Sequence, residues 1–355
     1  FGFQRWGKPH PTILPLTPIP ENLTPSPMKT PSPPPCALPP LPPSPSRYLR
    51  YVEDFIHKFP KSVEGYVSKA EFYLAQNDFG KANATMQTAL SMADKKDEAH
   101  YNLAKLIYQK EIKQANMPYP QWNLDLALAE TNKAYALNPL PLYKHLEAQI
   151  VYFKGEYAKA YEQFMALTKT NLRNGELFYE AAQCKQQLKA PFAEILTLLD
   201  SAVTAQDANL SAPYVLARGT ALHGAQQYKK AIADYNRYDS LMLGRASHDF
   251  YYTRALCEVQ LRQFQQALND FAHAIVLNRA EPTYYAELAQ LQLRVNQKED
   301  AVATADLGLR IAPNYPDLYL IKGLALVNDN KKNEGLAALN KAETVGADDH
   351  GLVLD

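Results

Sequence analysis

Residues 281–314 read EPTYYAELAQLQLRVNQKEDAVATADLGLRIAPN, and this stretch decides the fold. The small residue near the middle of its first half, Ala289, stands 34 residues after Ala255 and 34 residues before Gly323. Aromatic and small residues around the three positions repeat in the same order. Self-similarity at this period is typical of stacked helix–turn–helix units, each burying an apolar face against its neighbours. The stretch therefore predicts an all-α repeat fold.

The same pattern extends over most of the chain. Small residues let paired helices pack closely where they cross, and three sets of them recur in register. In the first helix of each predicted unit they are Ala70, Ala104, Ala148, Ala182, Gly219, Ala255, Ala289 and Gly323. Early in each second helix they are Ala82, Ala127, Ala160, Ala231, Ala267, Ala301 and Gly335, with Ile195 as the exception. Seven residues later they are Ala89, Ala134, Ala202, Ala274, Gly308 and Ala342, and Leu167 and Tyr238 depart from the pattern.

These positions, taken together, resemble the tetratricopeptide repeat (TPR) family over residues 47–346. The resemblance implies a right-handed superhelical solenoid of about eight antiparallel helix pairs. A further half-unit precedes them, because residues 47–59 match a second helix that has no first helix before it. Residues 347–355 are expected to form a C-terminal tail.

Residues 1–46 form a separate, proline-rich segment with 16 of the 26 prolines. Proline fixes φ and lacks a backbone donor, so an extended polyproline II or disordered state is predicted here. This segment cannot supply the missing first helix. The chain also starts at Phe1 with no leader-like apolar core, which suggests either a processed end or the downstream part of something longer.

Composition excludes several classes of function. The chain has 37 basic and 37 acidic residues, interspersed along the predicted helices, so no basic face for nucleic acid is expected. No apolar run approaches the ~20 residues that cross a bilayer. Three scattered cysteines form neither a disulfide framework nor a zinc motif. The compartment stays open between the cell envelope, slightly favoured by the processed-looking start, and the cytoplasm.

No catalytic motif occurs in the sequence. It lacks the zinc-binding His-Glu-x-x-His, glycine-rich phosphate loops, Gly-x-Ser-x-Gly and Cys-x-x-Cys. None of the eight histidines has a second metal ligand at helical spacing on the same face. We therefore expect no catalytic residue, no cofactor and no metal site.

The resemblance instead implies a groove lined by the first helices, where a peptide or extended protein segment lies. Carried over residue by residue, its lining comprises Tyr101, Lys105, Tyr108, His145, Gln149, Tyr152, Tyr179, Gln183 and Tyr252. Each tyrosine could equally well pack between neighbouring units. Where family members capture acidic chaperone tails with basic side chains, this chain has Val67, Glu71, Tyr101, Lys105 and His145. Only Lys105 suits a carboxylate, which argues against that partner class.

One unit is longer than the others, with a 44-residue step from Ala104 to Ala148. Insertions in repeat proteins map to loops and often lie on a binding face. Tyr119 and Trp122 are therefore candidate partner anchors. Alternatively, Trp122 caps the apolar seam of its own unit.

Two functions from different classes follow. The first is a non-catalytic protein–protein interaction scaffold that binds a peptide in its groove. The second is a regulatory or substrate-presenting arm of a larger enzyme with its catalytic domain upstream. A variant of the first places partner binding in residues 1–46, with the repeats only positioning them.

Overall fold

A computed structural model describes residues 45–113, 123–207 and 210–350, with side chains over 47–111, 124–207 and 210–346. Over these residues the chain forms seventeen α-helices and no strand. The predicted all-α fold is confirmed. The helices divide into two compact units, an N-terminal unit that ends at Asp207 and a C-terminal unit that follows it.

The N-terminal unit contains nine helices. Their bounds are α1 Pro45–Lys58, α2 Val63–Ala75, α3 Phe79–Met92, α4 Lys96–Lys113, α5 Asn123–Leu137, α6 Pro141–Phe153, α7 Tyr157–Leu167, α8 Gly175–Gln187 and α9 Phe192–Thr204. After α1 they pack as hairpins, α2 with α3, α4 with α5, α6 with α7 and α8 with α9. The unpaired α1 packs on α2, where Gly65 leaves room for Phe55 and Ile56.

The C-terminal unit contains eight helices that pack as consecutive hairpins. Their bounds are α10 Ala212–Gly224, α11 Tyr228–Leu241, α12 His248–Gln260, α13 Phe264–Leu277, α14 Pro282–Arg294, α15 Lys298–Ile311, α16 Pro316–Asn328 and α17 Lys332–His350. The last helix runs to His350, past the boundary that the sequence predicts at residue 346.

Small residues occupy the helix crossings, as the repeat pattern predicts. Every alanine of the three recurring sets is buried, and most have no exposed surface. Between them the largest fully buried side chains are aromatic: Tyr143, Phe164, Tyr235 and Phe271. Small residues thus set the spacing between helices, and large rings fill the volume that remains.

A common turn closes seven of the hairpins. One residue in each turn has a positive φ between 53° and 83°, and each of these residues is exposed: Asn77, Gly155, Lys189, Gln226, Arg262, Asn296 and Asn330. The N–H of the following residue donates to the carbonyl five residues back, as from Asp78 to Tyr73 and from Gln263 to Glu258. This is the Schellman arrangement, which satisfies carbonyls left open at a helix end. The turn residues follow the same steps as the buried small residues.

Charged pairs join the two helices of two hairpins at a separation of 16 residues. Arg218 pairs with Asp234, and Arg254 with Asp270, through two nitrogens of each guanidinium group. Both aspartates are buried. Bidentate geometry of this kind gives direction as well as energy, so these pairs fix how the hairpin helices face each other.

Gly335 in α17 marks the closest helix crossing of the C-terminal unit among those with a glycine. A Cβ atom there would lie 2.6 Å from Val327 Cγ2 and 2.9 Å from the carbonyl oxygen of Gly323. The Val327 backbone nitrogen is also only 2.9 Å away. Because two of these neighbours are backbone atoms, α16 and α17 would have to separate to admit a side chain.

We expect Gly335→Ala to destabilise the α16–α17 hairpin by about 2 kcal/mol. Overpacking costs up to about 3 kcal/mol, and the helix propensity that alanine gains over glycine, about 1 kcal/mol, offsets only part of it. Amide hydrogen exchange of peptides from α16 and α17 measures the loss. Gly224→Ala is the control, since nothing lies within 4 Å of that position, and it should leave stability unchanged or raised. Equal exchange in both variants would contradict the tight crossing.

None of the helices over the described residues is both long and apolar enough to cross a membrane.

Candidate functional site

Eight of the nine residues expected to line the groove lie on three first helices of the N-terminal unit. They are Tyr101, Lys105 and Tyr108 on α4, His145, Gln149 and Tyr152 on α6, and Tyr179 and Gln183 on α8. On α4 and α6 the spacing is i, i+4, i+7, which places the three side chains on one helix face. Helix α4 contacts α6, and side chains of α6 bond to α8. We call this surface the first-helix face.

A hydrogen-bonded group of His145, Gln149 and Glu180 lies at its centre. His145 Nε2 is 2.5 Å from Glu180 Oε2, and Gln149 Nε2 donates to Glu180 Oε1 over 2.6 Å. The His145 residue is only 7% exposed. Two side chains of α6 therefore converge on a single carboxylate of α8 and fix its position.

Glu176, one helical turn before Glu180 on α8, adds a second carboxylate to this group. Burial and then the Glu180 charge raise the pKa of Glu176, while His145 lowers it. Burial opposes protonation of His145, but the charge and hydrogen bond of Glu180 raise its pKa to about 9. His145 is thus a cation at neutral pH, held between two acidic side chains.

The tyrosines of this face divide between packing and partial exposure. Tyr108 and Tyr179 are buried, and the Tyr108 ring meets Phe153 edge-on at 5.5 Å between centroids. Tyr101 and Tyr152 are half-buried. Burial and then the charge of Glu176 raise the pKa of Tyr101 to about 12. The exposed parts of Tyr101 and Tyr152 are therefore the aromatic surface that this face offers.

The other predicted residues have different surroundings. Lys105 is half-buried and lines a small pocket between α2 and α4 together with Glu71. Tyr252 belongs to α12 of the C-terminal unit, where its ring stacks near Tyr284 at 4.9 Å. Tyr119 and Trp122, the candidate anchors of the insertion, lie outside the described residues.

Sequence reasoning missed Glu176 and Glu180. Helical spacing identifies ligands that lie on one helix, whereas His145 and the two glutamates come from different hairpins. Over the residues whose side chains are described, these three form a group that could hold a metal ion, with one donor atom each within 4.8 Å of one another. A signal was present in the sequence: Glu176 and Glu180 are four residues apart on α8, the helix that also carries Tyr179 and Gln183.

Successive hairpins with buried small residues at both crossings, recurring at steps near 34 residues, decide the architecture. The hairpins have the tetratricopeptide-repeat fold. Their first helices adjoin along each unit, α2 with α4 and α4 with α6 in one, α14 with α16 in the other.

Solved TPR structures resemble parts of this chain. One is the "Crystal structure of YrrB: a TPR protein with an unusual peptide-binding site", at 18% identity and a TM-score of 0.46, over 53% of this chain and 94% of YrrB. Another is MamA, at 18% identity and a TM-score of 0.46, over 51% of this chain and 97% of MamA. MamA from Desulfovibrio magneticus RS-1 matches at 14% identity and a TM-score of 0.45, over 50% of this chain and 97% of that protein. No protein-family model and no curated protein matches the sequence.

Proposed function

We propose that this TPR chain is a non-catalytic scaffold that binds a peptide or an extended protein segment along the first-helix face of α4, α6 and α8. The observation that carries the proposal is the alignment of aromatic and amide side chains from three consecutive first helices of one compact unit. Tyr152, Gln149 and Gln183 are all half-buried, so each presents part of its side chain to solvent.

The chemistry of these side chains suits an extended chain. A tyrosine ring provides a large contact area with few torsions to restrict, and glutamine both donates and accepts hydrogen bonds, as peptide backbones require. Glu176 and Glu180 make the face acidic beside Gln149. An acidic C-terminal tail is therefore a poor partner, in agreement with the sequence argument.

A selection from a random peptide library tests the proposal and does not require an identified partner. The full chain is immobilised, and bound peptides are enriched by phage display. The affinity of the most enriched peptide, carrying a fluorescent label, is then measured by fluorescence anisotropy. We expect Tyr152→Ala combined with Gln183→Ala to weaken binding at least tenfold, because both remove contact area from the face. Tyr108 is not a suitable target, since it is buried in the core.

Tyr135→Ala provides the matched control. Tyr135 is a half-buried tyrosine of the same unit, but it lies on the second helix α5. Its replacement should leave affinity unchanged, and helical circular dichroism should show that all variants are folded. Failure to enrich any peptide, or equal weakening by Tyr135→Ala, would overturn the assignment of binding to the first-helix face.

A further inference from the structure

Three side chains with metal-binding atoms converge from two helices of the N-terminal unit. His145 of α6 offers an imidazole nitrogen, and Glu176 and Glu180 of α8 each offer a carboxylate oxygen. The three atoms lie within 4.8 Å of one another, and His145 itself is buried. Both glutamates are half-buried and stand one helical turn apart.

The types of side chain in this group suit a cation. Glu180 Oε2 lies 2.5 Å from His145 Nε2, and Glu176 adds a second carboxylate whose oxygen lies within 4.8 Å of these ligand atoms. Two carboxylates thus share one histidine. A divalent cation between them would offset the repulsion that two ionised carboxylates otherwise relieve by taking up a proton.

A second histidine–glutamate pair in the same unit shows the contrast. His100 Nδ1 is 2.6 Å from Glu130 Oε2, and Lys133 Nζ donates to the other oxygen of Glu130 over 2.6 Å. There one carboxylate has a lysine and a histidine as partners. That pair has one carboxylate for two basic side chains, whereas the His145 group has two carboxylates for one imidazole.

We propose that His145, Glu176 and Glu180 form a binding site for a divalent transition-metal ion such as Zn²⁺. One imidazole nitrogen and two carboxylate oxygens are established ligand types for zinc, and three protein ligands leave a fourth position open. Because the histidine ligand must be neutral, Zn²⁺ binding releases to solvent the proton that His145 holds beside Glu180. Mg²⁺ and Ca²⁺ prefer sites made of oxygen alone. The site goes beyond the proposed peptide scaffold, because metal binding needs no peptide.

The surrounding residues fit this assignment. Gln149 donates to Glu180 Oε1 and so orients the carboxylate from outside the site, as second partners of metal ligands commonly do. His145 belongs to the first-helix face, along which the proposed peptide lies. A carboxylate, imidazole or backbone carbonyl of that peptide could then complete the coordination.

Isothermal titration of the full chain with ZnCl₂, after treatment with a chelator, tests the site. The chain has eight histidines, which can bind further Zn²⁺ weakly. The readout is therefore the dissociation constant of the most tightly bound Zn²⁺ ion, and not the total amount bound. We expect the chain to bind this Zn²⁺ ion more tightly than it binds Mn²⁺, following the usual order for divalent metals, and to bind Mg²⁺ weakly.

Two variants address the ligands independently. His145→Ala should abolish binding of the most tightly bound Zn²⁺ ion. Glu176→Gln should weaken it at least tenfold, and this replacement keeps the size of the side chain and leaves the contacts among His145, Gln149 and Glu180 in place. It therefore remains informative even if His145→Ala disturbs the fold, which circular dichroism reports.

His100→Ala is the matched control, since it removes a histidine that pairs with a glutamate in the same unit. This variant should bind the most tightly bound Zn²⁺ ion with the affinity of the parent chain. The proposal is overturned if the parent chain binds no Zn²⁺ at this level, or if Glu176→Gln binds as the parent chain does. A variant that loses Zn²⁺ binding but keeps peptide binding separates this site from the proposed scaffold function. A variant that loses peptide binding but keeps Zn²⁺ binding does the same.

Discussion

Replacing Arg254 by methionine is expected to destabilise the C-terminal unit by about 3–5 kcal/mol, the usual cost of leaving a buried charge without its partner. The Arg254 guanidinium donates to both oxygens of Asp270 over 2.6 and 2.9 Å and to Asp239 over 3.1 Å. Its side chain and that of Asp270 are each 12% exposed. Methionine fills similar volume but leaves both aspartates uncompensated.

Hydrogen exchange of peptides from α12 and α13 measures this loss locally, which suits repeat proteins that need not unfold in one step. Lys322→Met is the control. Lys322 also pairs with an aspartate 16 residues away, Asp306, but their side chains are 28% and 43% exposed. Exposed pairs contribute about 0–1 kcal/mol, so this variant should change little. If both variants lose the same stability, burial does not govern these pairs.

Glu258, one turn after Arg254 on α12, should make the C-terminal unit less stable as the pH rises. The residue is 5% exposed, and its Oε2 atom has no hydrogen-bond partner among the described residues. Burial, and then the charge of Asp270, raise the pKa of Glu258 to about 7, although Arg254 lowers it. A raised folded pKa favours the protonated form in the folded state. Its stabilising contribution is therefore complete below the unfolded pKa and is lost as the pH passes 7.

Comparison of Glu258→Gln with the parent chain isolates this effect. At pH 4 the two should be equally stable, because the glutamate is neutral. At pH 8.5 the variant should be more stable by about 3 kcal/mol, from about 1.4 kcal/mol per unit of pKa shift. Hydrogen exchange of α12 peptides, corrected for the intrinsic effect of pH, gives the difference. The exposed Glu299→Gln is the control, and a constant difference across the pH range would contradict the shift.

Most of the fold could be predicted from the sequence because its signal is local and repeated. Alanine or glycine recurs at most of the helix crossings, because small residues let the paired helices pack closely there. The turns between helices were harder to specify. Lys189, Gln226 and Arg262 adopt a left-handed backbone that favours glycine or asparagine. Their residue types give no indication of it, and only the repeat register predicts the turn.

The candidate site was predictable only in part, for a different physical reason. The resemblance to the TPR family implies the groove positions on α4 and α6, and so places His145 and Gln149 on one face. Their partner Glu180 comes from the next hairpin, 35 residues beyond His145, and no spacing rule links the two. Likewise, the exposure of a tyrosine depends on the neighbouring hairpin, which is why Tyr108 is buried and Tyr152 is only half-buried.

The left-handed turns have a consequence for how such chains diverge. In all seven hairpins the backbone shape is the same, yet the residue at the tip is asparagine, glycine, lysine, glutamine or arginine. Since these side chains are solvent-exposed, charge and size can drift at the tips without disturbing the helix crossings. The tips therefore differ from hairpin to hairpin within this chain, while alanine or glycine recurs at most of the buried crossings.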